Sequence, residues 1–118
     1  MIEKEAVVDS ERSFISSVIY NRIAIGMPLQ IDAIVIYSYG YHIEKMYEKY
    51  LEIDSPYNTY MYYGLPIGPI SNPGRASLMA ALKPEKTDYL YYLLESEYTH
   101  YFTDNYDDFL RRKEELGY

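Results

Sequence analysis

The sequence predicts an α+β fold in which helices pack around a small antiparallel sheet, and three stretches carry that prediction. Phe14, Ile15, Val18, Ile19 and Ile23 recur at helical spacing, and the run stops at Gly26 with Pro28 just beyond. Tyr89-Leu90-Tyr91-Tyr92-Leu93-Leu94 and Thr99-His100-Tyr101-Phe102-Thr103 flank a short polar turn, the pattern of a hairpin from Tyr89 to Thr103. Asp54 to Gly74 is dense in proline and glycine, which predicts ordered loops without regular hydrogen bonding.

Taken in order, Glu3 to Val8 reads as the end of a helix, and Asp9-Ser10 offers a fresh N-cap for the striped helix that follows. Gln30-Ile31-Asp32 leads into Ala33-Ile34-Val35-Ile36-Tyr37, whose β-branched content suggests a strand. Asp32 could equally cap a short helix there, and periodicity does not separate the two. Beyond Gly40, the spacing of Ile43, Met46, Tyr47, Tyr50 and Leu51 predicts an amphipathic helix of about three turns. Asn72-Pro73 reads as a cap followed by a first-turn proline, opening a helix through Ala76 to Leu82 that ends before Pro84. A last helix runs through Phe109 and Leu110, capped by Thr103 or Asp104, with Arg111, Arg112 and Lys113 toward its C-terminal half.

A chain of 118 residues is one domain with a single core, and 48% hydrophobic with 25% charged residues is the composition of a chain that folds. The net charge is -7 and no basic cluster stands apart from acids, which disfavours a nucleic-acid partner. Cysteine is absent, so disulfides, thiolate metal sites and a cysteine nucleophile are excluded. His42 and His100 are the only histidines, and no carboxylate spacing completes a zinc site around them, so neither metal nor cofactor is predicted. No apolar run approaches the roughly 20 residues that span a bilayer, and no signal-peptide pattern opens the chain. Met1 precedes a charged motif with no helix start signal, so the natural protein is expected to be longer, with residues 1–118 a single domain truncated at its N-terminus.

That motif, Met1-Ile2-Glu3-Lys4-Glu5, is where the chemistry is expected. A continuous helix would set Glu3 about 27 Å from Asn21 at about 1.5 Å per residue, too far for a shared site. Either the chain folds back near Val8 to Ser10, or Asn21 and Arg22 serve the scaffold by bonding loop carbonyls; the scaffold role is the favoured reading.

In their joint order, Ile2-Glu3-Lys4-Glu5, Val18-Ile19-Tyr20-Asn21-Arg22, Gly26-Met27-Pro28-Leu29-Gln30, Asp32, Asp54-Ser55-Pro56-Tyr57-Asn58-Thr59-Tyr60, Gly64-Leu65-Pro66, Gly68-Pro69-Ile70, Asn72-Pro73-Gly74 and Lys86-Thr87-Asp88-Tyr89-Leu90-Tyr91 resemble a known set. The chain resembles, over nearly its whole length, the catalytic domain of the endolytic murein transglycosylases, the MltG/YceG-like family formerly labelled aminodeoxychorismate lyase. Ala33-Ile34, Ile67 and Glu95-Ser96-Glu97-Tyr98 depart from the family pattern and bear on loop shape. The resemblance implies a lysozyme-like or SleB-like helical domain with a small antiparallel sheet. It implies cleavage of the bond between N-acetylmuramic acid and N-acetylglucosamine within glycan strands, leaving 1,6-anhydro ends. By the same token the full-length protein is expected to be membrane-anchored at the extracytoplasmic face, with peptidoglycan as substrate and cell-wall synthases as partners. The family's cytoplasmic tail, transmembrane helix and LysM-like domain are not in this sequence.

The catalytic acid of the family maps onto Glu3. A glycosidase that hydrolyses needs two carboxyls, whereas here the substrate's own C6 hydroxyl attacks and one residue can act first as acid and then as base. Acting as an acid at neutral pH predicts a Glu3 pKa raised by apolar surroundings. Glu5 points to another side of the helix, as a bonding or substrate-positioning group. Tyr57, Asn58, Thr59 and Tyr60 are implied partners for sugar hydroxyls and acetamido groups, with Gln30 and Asp32 lining the cleft and Asn58 expected beside Glu3. Tyr89, Tyr91 and Tyr92 cannot all face one groove, because strand side chains alternate. His100 could be a second proton-transfer group, but a lone strand histidine reads as structural. The alternative function is a non-catalytic glycan-binding or scaffold module of cell-wall synthesis; a pyridoxal-dependent lyase needs a larger cofactor fold than this chain can make.

Overall fold

The computed structural model describes residues 1–41, 43 and 46–118. Among them are five α-helices, α1 (Ile2–Glu5), α2 (Arg12–Ala24), α3 (Asp32–Tyr39), α4 (Arg75–Leu82) and α5 (Tyr106–Glu115), with 3-10 turns at Asp9–Glu11 and Glu48–Glu52. Strands β1 (Tyr91–Leu94) and β2 (His100–Thr103) form a two-stranded antiparallel sheet, so the α+β expectation is met. Two compact units emerge: Met1 with Arg22–Asn72, and Ile2–Asn21 with Pro73–Tyr118. No helix among the described residues is long and apolar enough to cross a membrane.

In the second unit the α2 stripe buries Ile15, Val18 and Ile19, while Ile23, in the last turn of α2 that the first unit takes, is exposed. Gly26 follows at φ 71, the left-handed conformation that ends a helix and that a residue without Cβ adopts without strain. Asp9 opens a 3-10 turn rather than α2, and its carboxylate takes the Arg12 Nε at 2.8 Å instead of a backbone N–H. The hairpin pairs Tyr91 with Thr103 and Leu94 with His100. Alternation along β1 then sorts its tyrosines: Tyr91 packs on Phe109 and Tyr106 of α5, while Tyr92 turns to His100 and Phe102 on the other face. Phe14 of α2 and Tyr89 close over Phe102 on that second face. The α5 cap is Asn105, whose side chain accepts from the Asp108 N–H, one or two residues beyond the predicted Asp104 or Thr103.

Helix α4 begins at Arg75, with Gly74 rather than Asn72 at the cap position and no side-chain cap of its own. Asn21 Nδ2 donates to the carbonyls of Thr87 and Tyr89, both at 2.9 Å, which is the scaffold role expected for it.

In the first unit, Ala33 to Tyr37 is helical, not a strand: it lies inside α3, with Ile34 and Val35 buried. Asp32 sits in the first turn without a side-chain cap bond, where its charge suits the helix dipole. A three-turn helix after Gly40 is not found: Ile43, Met46 and Tyr47 are irregular, and only Glu48–Glu52 turns, as a 3-10 segment. The part of that expectation on His42, Glu44 and Lys45 lies outside the described residues. From Asp54 to Gly74 there is no helix or strand, as the prolines and glycines predicted. Arg22 Nη1 donates to the carbonyls of Pro28 at 3.1 Å and Leu29 at 2.9 Å, again a scaffold role.

Candidate active site

Helix α1 is a single turn, and burial of Ile2 against the rest of its unit leaves Glu3 and Glu5 on different sides. Glu3 Oε2 accepts three hydrogen bonds: a very short one from Ser77 Oγ, one from Gly74 N–H at 3.2 Å, and one from Arg12 Nη1 at 3.3 Å. The Glu3 carboxylate thereby supplies the uncapped start of α4 with an acceptor from a distant part of the chain. Arg12 Nη1 also donates to Ser77 Oγ at 2.8 Å. Ser77 is 3% exposed, and the Arg12 side chain 13% against 31% for Glu3. Among the described residues no donor reaches Glu3 Oε1.

This environment lowers the Glu3 pKa below its ordinary value, the opposite of the expected rise. The Ser77 hydroxyl is the largest cause, the Gly74 N–H next, and both outweigh the opposing desolvation; Arg12 adds to the lowering. Glu3 is therefore a carboxylate at neutral pH, because the donors meeting it are polar where apolar contacts had been expected.

Glu5 accepts from the Tyr92 hydroxyl at 2.9 Å and so ties α1 to β1. Glu11 plays the same part for β2: both its oxygens accept the His100 N–H, at 3.0 and 2.9 Å, and Oε1 lies 3.1 Å from His100 Nδ1. With its side chain 6% exposed and its ring against Tyr92 and Phe102, His100 is a packed part of the hairpin. Among the described residues no group of three or more acidic, histidine or cysteine side chains could hold a metal ion.

The remaining predicted site residues belong to the first unit and form their own cluster. Thr59 joins the segment before α3, its carbonyl accepting from Gln30 N–H at 3.2 Å and its Oγ1 from Ile31 N–H at 2.9 Å. Gln30 is exposed and has φ 53, an uncommon conformation for a residue with a Cβ. The Tyr60 hydroxyl donates to Asp32 Oδ1 at 2.5 Å. Tyr57 packs on Tyr37, and a Cβ built on Gly68 would stand 2.9 Å from the Tyr57 hydroxyl, so only glycine fits there without a shift. Asn58 is fully buried; its Nδ2 donates to the carbonyls of Leu51 at 2.8 Å and Ile53 at 2.7 Å, and its Oδ1 accepts from Tyr60 N–H at 3.0 Å. Its amide is occupied by the loop itself.

Sequence reasoning missed Arg12, Ser77, Gly74 and Glu11. Ser77 lies 74 positions from Glu3 and carries no local signal. One physical hint existed, since a helix starting at a glycine needs an acceptor from elsewhere.

Known proteins share this α+β arrangement. The family model of the YceG-like family matches residues 1–115, and the chain belongs to that family. It is 48% identical over 114 residues to the endolytic murein transglycosylase of Bacillus subtilis (strain 168), covering 97% of this chain and 32% of that protein. The endolytic murein transglycosylase of Streptococcus pneumoniae (strain D39) is 32% identical over 114 residues, covering 92% of this chain and 21% of that one. A crystal structure of a YceG-like protein from Listeria monocytogenes superposes with a TM-score of 0.87 at 50% identity, over 93% of this chain and 35% of that one. The chain thus spans a third or less of the length of these curated relatives.

Proposed function

We propose that this chain is the catalytic domain of an endolytic murein transglycosylase, with Glu3 as its one acid and base. The observation that carries the reading is the Glu3 carboxylate, held at one oxygen by three donors and open at the other, in a member of a family whose curated relatives bear that name. In the first step protonated Glu3 gives its proton to the glycosidic oxygen as the bond from the N-acetylmuramic acid carbon breaks. In the second, the resulting carboxylate takes the proton of the C6 hydroxyl as that oxygen closes onto the same carbon, leaving a 1,6-anhydro end and restoring protonated Glu3. No water is consumed and no second carboxyl is required. A glycan strand laid over the open oxygen removes water there and raises the pKa toward what the first step needs.

Glu5 acts through α1, fixing its orientation by the bond to Tyr92. In the first unit, exposed Gln30 and Asp32 with half-buried Tyr57 and Tyr60 offer polar groups to sugar, while Asn58 and Thr59 shape the loop that presents them. A lysozyme-like or SleB-like fold of the helical part, peptidoglycan as substrate, synthases as partners and an extracytoplasmic, membrane-anchored parent protein belong to the same proposal. The second reading, a non-catalytic glycan-binding module, draws on one observation: the Glu3 carboxylate ties α1 to the start of α4, which is a structural use of it. Mass analysis of products from purified glycan strands separates the two, since anhydro-ended fragments support the first reading and intact strands the second.

A further inference from the structure

We propose that the two oxygens of Glu3 have separate tasks: Ser77 and Arg12 are positioning residues that fix Oε2, so that Oε1 alone carries the proton to and from the glycan. The inference rests on the proposed function and adds to it the residues that aim the acid. Its first ground is donor direction. A guanidinium has only donors, so Arg12 Nη1, at 2.8 Å from Ser77 Oγ, must give its hydrogen to that oxygen. The single hydrogen of Ser77 is then left to point outward, and Glu3 Oε2 is what it meets. A carboxylate oxygen has no hydrogen to give back, so with Arg12 on one of its lone pairs the hydroxyl acts toward Glu3 as a donor.

The second ground is rigidity. Arg12 is itself held at Nε by Asp9 at 2.8 Å, and Ser77 is buried on α4 with the Gly74 N–H as a third donor to the same oxygen. The charged groups acting on Glu3 are Arg12, which favours the carboxylate, and Asp9, which opposes it; α4 contributes the neutral Ser77 hydroxyl and the Gly74 N–H. Water competes poorly with the sheltered Ser77 hydroxyl and Arg12 guanidinium, so Oε2 stays anchored through both proton transfers. Among the described residues Oε1 meets no donor, and a proton placed there is lost to substrate without breaking the anchor. The step balances within the mechanism above: the O–H bond at Oε1 breaks as the glycosidic oxygen is protonated, and it re-forms with the proton of the C6 hydroxyl.

The test uses the 118-residue chain and purified uncrosslinked glycan strands. The Glu3 carboxyl is titrated by carbon-13 NMR in the unaltered chain, Ser77→Ala, Ser77→Thr and Arg12→Gln, and kcat/KM is followed against pH, with circular dichroism as a check of folding. Expected is an upward shift of the Glu3 titration in Ser77→Ala and Arg12→Gln, with the high-pH limb of kcat/KM moving up alongside it. A loss in kcat of up to about 10²-fold should accompany it on the low-pH plateau, as for a misaimed catalytic group. Ser77→Thr, which keeps the hydroxyl, should restore both. Should Glu3→Gln be inactive while Ser77→Ala and Arg12→Gln leave titration and pH limb unmoved, the anchoring is overturned and Glu3 catalysis survives. Should the titration move while Glu3→Gln keeps full activity, both the proton-carrying role of Oε1 and the proposed function fall.

Discussion

The two compact units differ in where their glutamates and their fully buried polar side chains find partners. In the unit of Ile2–Asn21 and Pro73–Tyr118, acids reach from one regular element to another: Glu3 to α4, Glu5 to β1, Glu11 to β2. In the unit of Met1 and Arg22–Asn72, the buried polar groups turn inward on irregular backbone, Asn58 taking the carbonyls of Leu51 and Ile53 and Arg22 those of Pro28 and Leu29. A loop without a hydrogen-bond ladder must find partners for its own backbone, and side chains supply them. Helices and strands satisfy themselves, so a carboxylate set between them can keep one oxygen free. Chemistry is therefore expected to fail by substitution in the first case and folding in the second.

The largest effect expected is at Glu3. Glu3→Gln should lose at least about 10²- to 10⁴-fold in turnover, the contribution of a positioned acid or base, while keeping its fold. The fold survives because the amide oxygen of glutamine can accept the Ser77, Gly74 and Arg12 donors. Glu5→Gln, which alters a group bonded to Tyr92, should lose much less. Equal turnover in unaltered chain and Glu3→Gln breaks the contrast at its catalytic end.

Asn58→Ala is the counterpart on the other side. It removes the buried amide that bonds the carbonyls of Leu51 and Ile53 and the Tyr60 N–H, and should destabilise the chain by about 2–4 kcal/mol in denaturant unfolding. A loss under about 0.5 kcal/mol, the range of an uninvolved surface site, would mean the loop does not depend on it. Smaller again is Gly68→Ala, whose new Cβ crowds the Tyr57 hydroxyl, at about 1 kcal/mol. Adding Tyr57→Phe removes that oxygen and should recover most of the loss in thermal melts.

Acid should weaken the unit of Ile2–Asn21 and Pro73–Tyr118 gradually. Glu3 is lowered from 4.5 by Ser77 and Gly74, and Asp108 from 3.8 by the Tyr101 and Thr103 hydroxyls. A carboxyl with a lowered folded pKa binds its proton more readily when unfolded, so its stabilisation is complete above those ordinary values and lost as pH falls through the folded ones. Asp108→Asn should flatten the fall in melting temperature below pH 4 or so. An unchanged slope would show that the Tyr101 and Thr103 bonds do not carry it.

Much of the frame was legible because it depends on local pattern. The α2 stripe ended where Gly26 adopts positive φ, and alternation in the hairpin divided Tyr91 from Tyr92 as the strand period requires. Asn21 and Arg22 were read as scaffold from distance alone, and they bond loop carbonyls. Ala33 to Tyr37 left strand and helix both open because a buried apolar run of that length suits either, and the helix, α3, is what forms. The Glu3 pKa was misjudged for a different reason: the role of an acid at neutral pH called for apolar surroundings, while the groups that decide it arrive from Arg12, Gly74 and Ser77, which no local pattern places beside it.

The central claim is that a single carboxylate suffices because the substrate supplies its own nucleophile. Digestion of purified glycan strands in water enriched in oxygen-18, followed by mass analysis of the new ends, tests this most directly. The account predicts 1,6-anhydro ends free of heavy oxygen and none of them with Glu3→Gln; reducing ends carrying oxygen-18 would contradict it, since water would then be the attacking group and a second acid or base would have to exist.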